Sequence, residues 1–168
     1  MIGKYETLML NTRADMDKIE QQVNDLLSKR SESSYKSVIC KEMNRGKGFY
    51  FLVTPDVRAH SGISDILGIK NGICVALELK KGVWNESKPK NMIIQLSKVS
   101  SPQLWFLNKI EEHDGIGLLG VIVEWNKLLF VAAQDLRKLI SREEKITVEN
   151  CLKSNNVPIP IKQLHMLF

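Results

Sequence analysis

The chain has little cysteine, little histidine and no long apolar run, and each shortage removes a class of function. Its three cysteines, Cys40, Cys74 and Cys151, are odd in number and far apart, which does not suit the disulfide framework of a small secreted domain. Reduced thiols are expected, with Cys74 on a predicted strand and in the core. His60, His113 and His165 are equally scattered, and neither set has the spacing of zinc ligands. No apolar stretch approaches the roughly 18 to 20 residues of a membrane span. The opening MIGKYETLML lacks a signal peptide's charged start, long apolar run and small-residue cleavage site. Repeats and low-complexity tracts are absent as well. The expectation is a cytoplasmic protein, or a nuclear one in a eukaryote, with no membrane contact.

What is present is a chain of 168 residues with ordinary globular composition, a length that suits one domain around one core. That domain is expected over 1–168, with its core at about 14–140 and a C-terminal extension at about 141–168. Net charge is +5 and the pI about 9.1. A basic balance fits nucleic-acid binding without requiring it.

The strongest local signal runs from Gly62 to Gly82, GISDILGIKNGICVALELKKG. Asn71-Gly72 suits a two-residue type I′ turn, because both positions need positive φ. Apolar and β-branched residues flank it, so a hairpin is predicted in which Lys70 pairs with Ile73, Ile69 with Cys74 and Gly68 with Val75. Continued outward, that register sets Asp65 opposite Glu78. Directly opposed side chains have Cβ atoms roughly 4.5 to 5.5 Å apart, and like charges there repel. Side chains alternate along a strand, so Lys80 shares the face of Glu78, a face otherwise lined by Leu67, Ile69, Cys74 and Ala76. A divalent cation between the two acids would relieve the repulsion, since hard cations prefer oxygen ligands. A solvated strand edge with an ordinary charge pair has the same sequence, so the hairpin alone leaves both readings open.

Upstream, Asn11-Thr12 offers a helix cap and Asp15 and Asp17 favour a first turn. Met16, Ile19, Val23, Leu26 and Leu27 then make an amphipathic stripe, predicting a helix at about Ala14 to Lys29 with Glu20 on the stripe's border. The polar, serine-rich stretch Arg30 to Lys36 reads as a loop before a short extended segment at Ser37 to Glu42. Asn44 to Gly48 reads as a turn and Phe49 to Val53 as a strand, which would give a first hairpin. Thr54 to Ser61, carrying Arg58 and His60, is read as an irregular approach to the main hairpin.

After Gly82 comes a long basic connection. Lys81 precedes it, and it holds Lys88, Lys90, Lys98 and Trp84. Placed beside the hairpin's charged end, Arg58, Lys81, Lys88 and Lys90 are candidate phosphate contacts. Ser100-Ser101-Pro102-Gln103 opens a helix, with a Ser cap and Pro at the first position, running to about His113. Gly117 to Trp125 reads as a strand, Asn126-Lys127 as a two-residue turn, Leu128 to Ala132 as the return strand and Asp135 to Ile140 as a helix. Thr147 to Leu152 is a candidate short helix. The pattern predicts an α/β fold with a mixed sheet and helices on its faces.

In this order the residues resemble the PD-(D/E)xK nuclease superfamily: Asp65 on one strand, Glu78-Leu79-Lys80 as the acid-x-Lys of the next, and Glu20 in a preceding helix. Within it the chain looks most like the VRR-NUC and Holliday junction resolvase-like branches, through Gly62-Ile63-Ser64-Asp65 and the Ser-x-x-Gln helix start at Ser100 to Gln103. The resemblance covers about Glu20 to Val131. It departs from the family at Ser64, where a proline is usual, while Pro55-Asp56 lies nearby. The register opposing Glu78 favours Asp65 over Asp56 as the ligand.

The resemblance implies a restriction-endonuclease-like core and an endonuclease that uses Mg²⁺ or Mn²⁺. The metal would be held by Asp65, Glu78 and the Leu79 carbonyl, with Glu20 a ligand directly or through water. It implies that Lys80 orients a water or stabilises charge on the phosphate, and that Gln103 positions a water or a phosphate oxygen. The implied partner is DNA, branched forms such as junctions and flaps above all, bound by a homodimer, with RNA left open as a substrate. A non-catalytic nucleic-acid-binding module is the alternative reading.

Overall fold

The computed structural model describes residues 32–53, 62–83, 94–123, 127–142, 146–147 and 159–168, all within the compact unit Glu32–Phe168. The predicted helix at 14–29, with Glu20, lies outside them, as do Asp56, Arg58, His60, Trp84, Lys88, Lys90 and most of the segment 147–152. No helix among the described residues is long and apolar enough to cross a membrane.

The described chain begins with helix α1 (Glu32–Met43), which corrects the expected loop at Arg30 to Lys36 and the extended segment at Ser37 to Glu42. The serines suggested a loop, but Tyr35, Ile39, Cys40 and Met43 recur at the spacing of one helical face, and all four are buried. That apolar stripe outweighs the modest helix propensity of serine. A turn through Asn44 leads to strand β1 (Phe49–Leu52). The Asn44 side chain accepts from the Tyr50 N–H and donates to the Tyr50 carbonyl, each at 2.8 Å. With α1 helical there is no first hairpin; β1 pairs instead with β2 (Ile66–Lys70).

Strand β3 (Ile73–Lys81) returns antiparallel to β2 in the predicted register, Lys70 opposite Ile73 and Gly68 opposite Val75. Asn71 and Gly72 have φ of 52° and 82°, as a type I′ turn requires. Helix α2 (Ser101–Glu112) then carries the chain across to β4 (Ile116–Val123), which lies parallel to β3. Strand β5 (Lys127–Ala132) returns antiparallel, pairing Lys127 with Val123. Lys127 is thus a strand residue, which corrects the Asn126-Lys127 turn.

Helix α3 (Ala133–Ser141) follows directly, and β6 (Ile159–Pro160) pairs with the far side of β5. The result is a six-stranded mixed sheet in the order β1-β2-β3-β4-β5-β6. Helices flank it, so the expected α/β architecture is the one observed.

Alternation along the strands sorts the apolar residues onto two faces. On one, Ile66, Val75, Leu77, Leu79, Leu128 and Phe130 pack with α1 and with the 3₁₀ helix Ile161–Met166. On the other, Leu119, Val121, Leu129 and Val131 pack with α3, and Ala76 packs with Leu107 of α2. Each fully buried Leu or Ile contributes roughly 1.5 to 3 kcal/mol, so the central strands are held from both sides. Cys74 is exposed, not in the core as expected. It pairs with Ile69, itself 57% exposed, close to the turn.

Candidate active site

Glu78 sits in β3 between β2 and β4, where residues on either side of it are core: Leu77 and Leu79 are both fully buried. Alternation turns Glu78 to the face under α2, and its carboxylate is only 1% exposed. A buried carboxylate must be compensated, and here the compensation is partial. Glu78 Oε1 accepts from the Lys80 Nζ at 2.7 Å and from the Gln103 Nε2 at 2.5 Å. Glu78 Oε2 is buried and has no hydrogen-bond partner among the described residues. Burial, reinforced by the negative charge of Asp65, pushes the Glu78 pKa up from 4.5 to about 7, against the hydrogen bond and charge of Lys80 and the charge of Lys36.

Gln103 reaches Glu78 because the start of α2 is fixed by a capping box. The Gln103 N–H donates to Ser100 Oγ at 3.4 Å, and the Ser100 N–H donates to Gln103 Oε1 at 3.0 Å. The amide oxygen is committed to the cap, so the amide nitrogen faces Glu78. Pro102 lies in the first turn, where its missing N–H costs nothing. Gly62 meets this turn at close range: a Cβ there would fall 2.5 Å from Pro102 Cβ, and its φ of 139° favours glycine.

Asp65 lies just beyond the paired part of β2. The ladder runs to Ile66 opposite Leu77, one pair short of the expected Asp65–Glu78 pairing. Two residues further on, the same register would bring Ser64 opposite Leu79. Instead the Leu79 N–H donates to Asp65 Oδ2 at 2.9 Å, while the Asp65 carbonyl accepts from the Val53 N–H at 2.9 Å. A side-chain carboxylate therefore takes the ladder position of a backbone carbonyl. In an extended strand a residue's N–H and C=O point to the same side, so the Leu79 carbonyl faces the side from which β2 has departed. Ser64 is fully buried with its hydroxyl unpartnered among the described residues.

One residue of the site was missed in the sequence. Lys36 of α1 places Nζ 2.6 Å from Asp65 Oδ1. Its helix read as a loop, although the stripe beginning at Tyr35 was available to place it. Lys81, expected among the phosphate contacts, alternates to the opposite face from Lys80, with its ammonium 5.9 Å from the centre of the Tyr35 ring.

Asp65, Glu78, Lys80 and Gln103 thus converge, joined by Lys36. The described residues contain no cluster of three or more His, Cys, Asp or Glu side chains able to hold a metal. The donors available are two carboxylates and a backbone carbonyl. This all-oxygen set suits a hard divalent cation, and the unpartnered Glu78 Oε2 is an oxygen with coordination to spare.

No protein-family model matches the chain, and no curated protein matches it. Among solved structures the fold is similar to that of Hjc, a Holliday junction resolvase from the archaeal hyperthermophile Archaeoglobus fulgidus. The TM-score is 0.50, and the alignment covers 79% of this chain and 98% of that one at 11% identity. At such low identity the likeness is one of fold.

Proposed function

We propose that this chain is a divalent-metal-dependent endonuclease that hydrolyses phosphodiester bonds in branched DNA. The observation that carries the reading is Glu78: a buried carboxylate with one oxygen engaged by Lys80 and Gln103, the other unpartnered, and a second acid beside it. Burying such a group costs stability that a core residue would not, and a functional site accounts for that cost.

Asp65, Glu78 and the Leu79 carbonyl would hold Mg²⁺ or Mn²⁺, which when bound supplies polarisation of the phosphate and a water of lowered pKa. Lys80, held against Glu78, sets a positive charge where the phosphate oxygens gain negative charge. Its ammonium, 2.7 Å from Glu78 Oε1, serves as an electrostatic stabiliser. Gln103 holds Glu78 in orientation through its capped amide and brings the N-terminus of α2, which favours anions, to the site.

A third acid, Glu20, is implied by the motif resemblance, and Glu20→Gln should then lose cleavage.

The Hjc-like fold and the Gly62 to Asp65 and Ser100 to Gln103 motifs support four-way junctions or related branched DNA as substrate. A homodimer follows from the motif resemblance, and the Gly-x-x-Asp and Ser-x-x-Gln elements suit a VRR-NUC-like branch. The test is a panel of linear, flap, four-way-junction and RNA substrates with Mg²⁺, Mn²⁺ or EDTA. Wild type should nick junctions or flaps only with metal. Glu78→Gln and Lys80→Ala should each lower cleavage by about 100-fold or more while circular dichroism and junction binding persist. Undiminished cleavage by Glu78→Gln overturns the assignment.

A further inference from the structure

We propose that Lys36 is a built-in counter-cation for Asp65 that competes with the divalent ion and so sets the metal concentration at which the site loads. The inference rests on the metal-binding reading of Asp65 and Glu78. The two carboxylates each have their own lysine: Lys36 Nζ lies 2.6 Å from Asp65 Oδ1, and Lys80 Nζ lies 2.7 Å from Glu78 Oε1. A divalent ion entering the site meets two ammonium groups as well as two acids.

Both oxygens of Asp65 already accept a hydrogen bond, Oδ1 from Lys36 and Oδ2 from the Leu79 N–H, whereas Glu78 Oε2 has no partner among the described residues. Each of these oxygens keeps a further lone pair, so a cation shared by the two acids comes to lie beside one of the two donors, the Lys36 ammonium or the Leu79 N–H. The Leu79 N–H cannot withdraw, because β3 is held there by β4, with Leu79 opposite Gly120. Lys36 can: its side chain is 26% exposed, and a lysine stem has several rotatable bonds. Lys36 is the group that yields.

The consequence is measurable without substrate. In calorimetric titration of the full chain with Mn²⁺ alone, Lys36→Met should bind about tenfold or more tightly than wild type, since a like charge near the ion has been removed. Lys36→Arg, which keeps the charge, should stay close to wild type, so a merely structural role for the side chain is set apart. If Lys36→Met does not fold, Lys36→Gln carries the same comparison. Mn²⁺ binding that is equal in wild type and Asp65→Asn would remove the metal site itself. Binding by wild type that depends on Asp65, with the uncharged Lys36 variant equal or weaker, would overturn the role of Lys36 and leave the metal site standing.

Discussion

At the scale of single residues, Glu78 ties stability to pH in an unusual direction. Most carboxylates in folded proteins are stabilised in their charged form, so folds gain stability as pH rises above the carboxylate range. Here burial and Asp65 raise the Glu78 pKa to about 7. Below the unfolded value of about 4.5 the group is protonated in both states, and its protonation contributes fully to the fold. As pH rises through about 7 that contribution is lost. The rise from 4.5 to about 7 corresponds to on the order of 3 kcal/mol at ~1.4 kcal/mol per pH unit. Urea titrations in EDTA should show wild type losing stability relative to Glu78→Gln between pH 5 and 8, with the variant the more stable at pH 8. Added Mn²⁺ should reverse that order, because a cation favours the ionised carboxylate. A difference between the two proteins that does not change with pH would contradict the raised pKa.

At the scale of elements, the hairpin was legible because its signal is local. Asn71-Gly72 sets the turn, the turn sets the register, and the register follows from β2 to β3 one pair at a time. Gly72 has open space around it yet a φ of 82°, so Gly72→Ala should cost about 1 kcal/mol from backbone strain alone, read as a lower urea midpoint at unchanged slope. The start of α2 was equally local, since Ser100 and Gln103 form its capping box within one turn. The start of α3 was not. Ala132 offers no side-chain cap; the Ala133 and Gln134 N–H groups donate instead to the carboxylate of Glu111 in α2, at 3.2 and 2.9 Å. A cap supplied from another helix leaves no mark in the sequence beside it, and the helix was accordingly expected to start at Asp135. For the candidate site, the convergence of Asp65, Glu78 and Lys80 followed from the hairpin register and Gln103 from the family resemblance, whereas Lys36 required a helix that the serines at positions 31, 33 and 34 obscured.

At the scale of the whole molecule, residues 159–168 extend the core past the boundary near 140 suggested by the sequence. Ile159, Ile161, Leu164 and Phe168 are buried against the same face as α1. Phe168 meets Tyr50 and Phe130 edge-on, each with centroids 5.8 Å apart, so it ties the first described strand to the fifth. Phe168→Ala should therefore destabilise the fold by about 3 kcal/mol or more, measured by urea unfolding. The same variant should leave metal affinity unchanged, because Phe168 belongs to the cluster on the other side of the sheet from Glu78. Periodicity could not reveal this: a two-residue strand and a short 3₁₀ helix are too brief to show one.

The Leu79 amide is bonded to the Asp65 carboxylate in place of a ladder carbonyl. Amide protons in central strands normally exchange with solvent only on opening of the whole fold, and their nitrogen chemical shifts report the partner that accepts them. Leu79 is held in a central strand by the carboxylate proposed above as a metal ligand. Its amide resonance would therefore be a gauge built into the backbone, shifting from a fully buried position when Mn²⁺ or Mg²⁺ is taken up by Asp65.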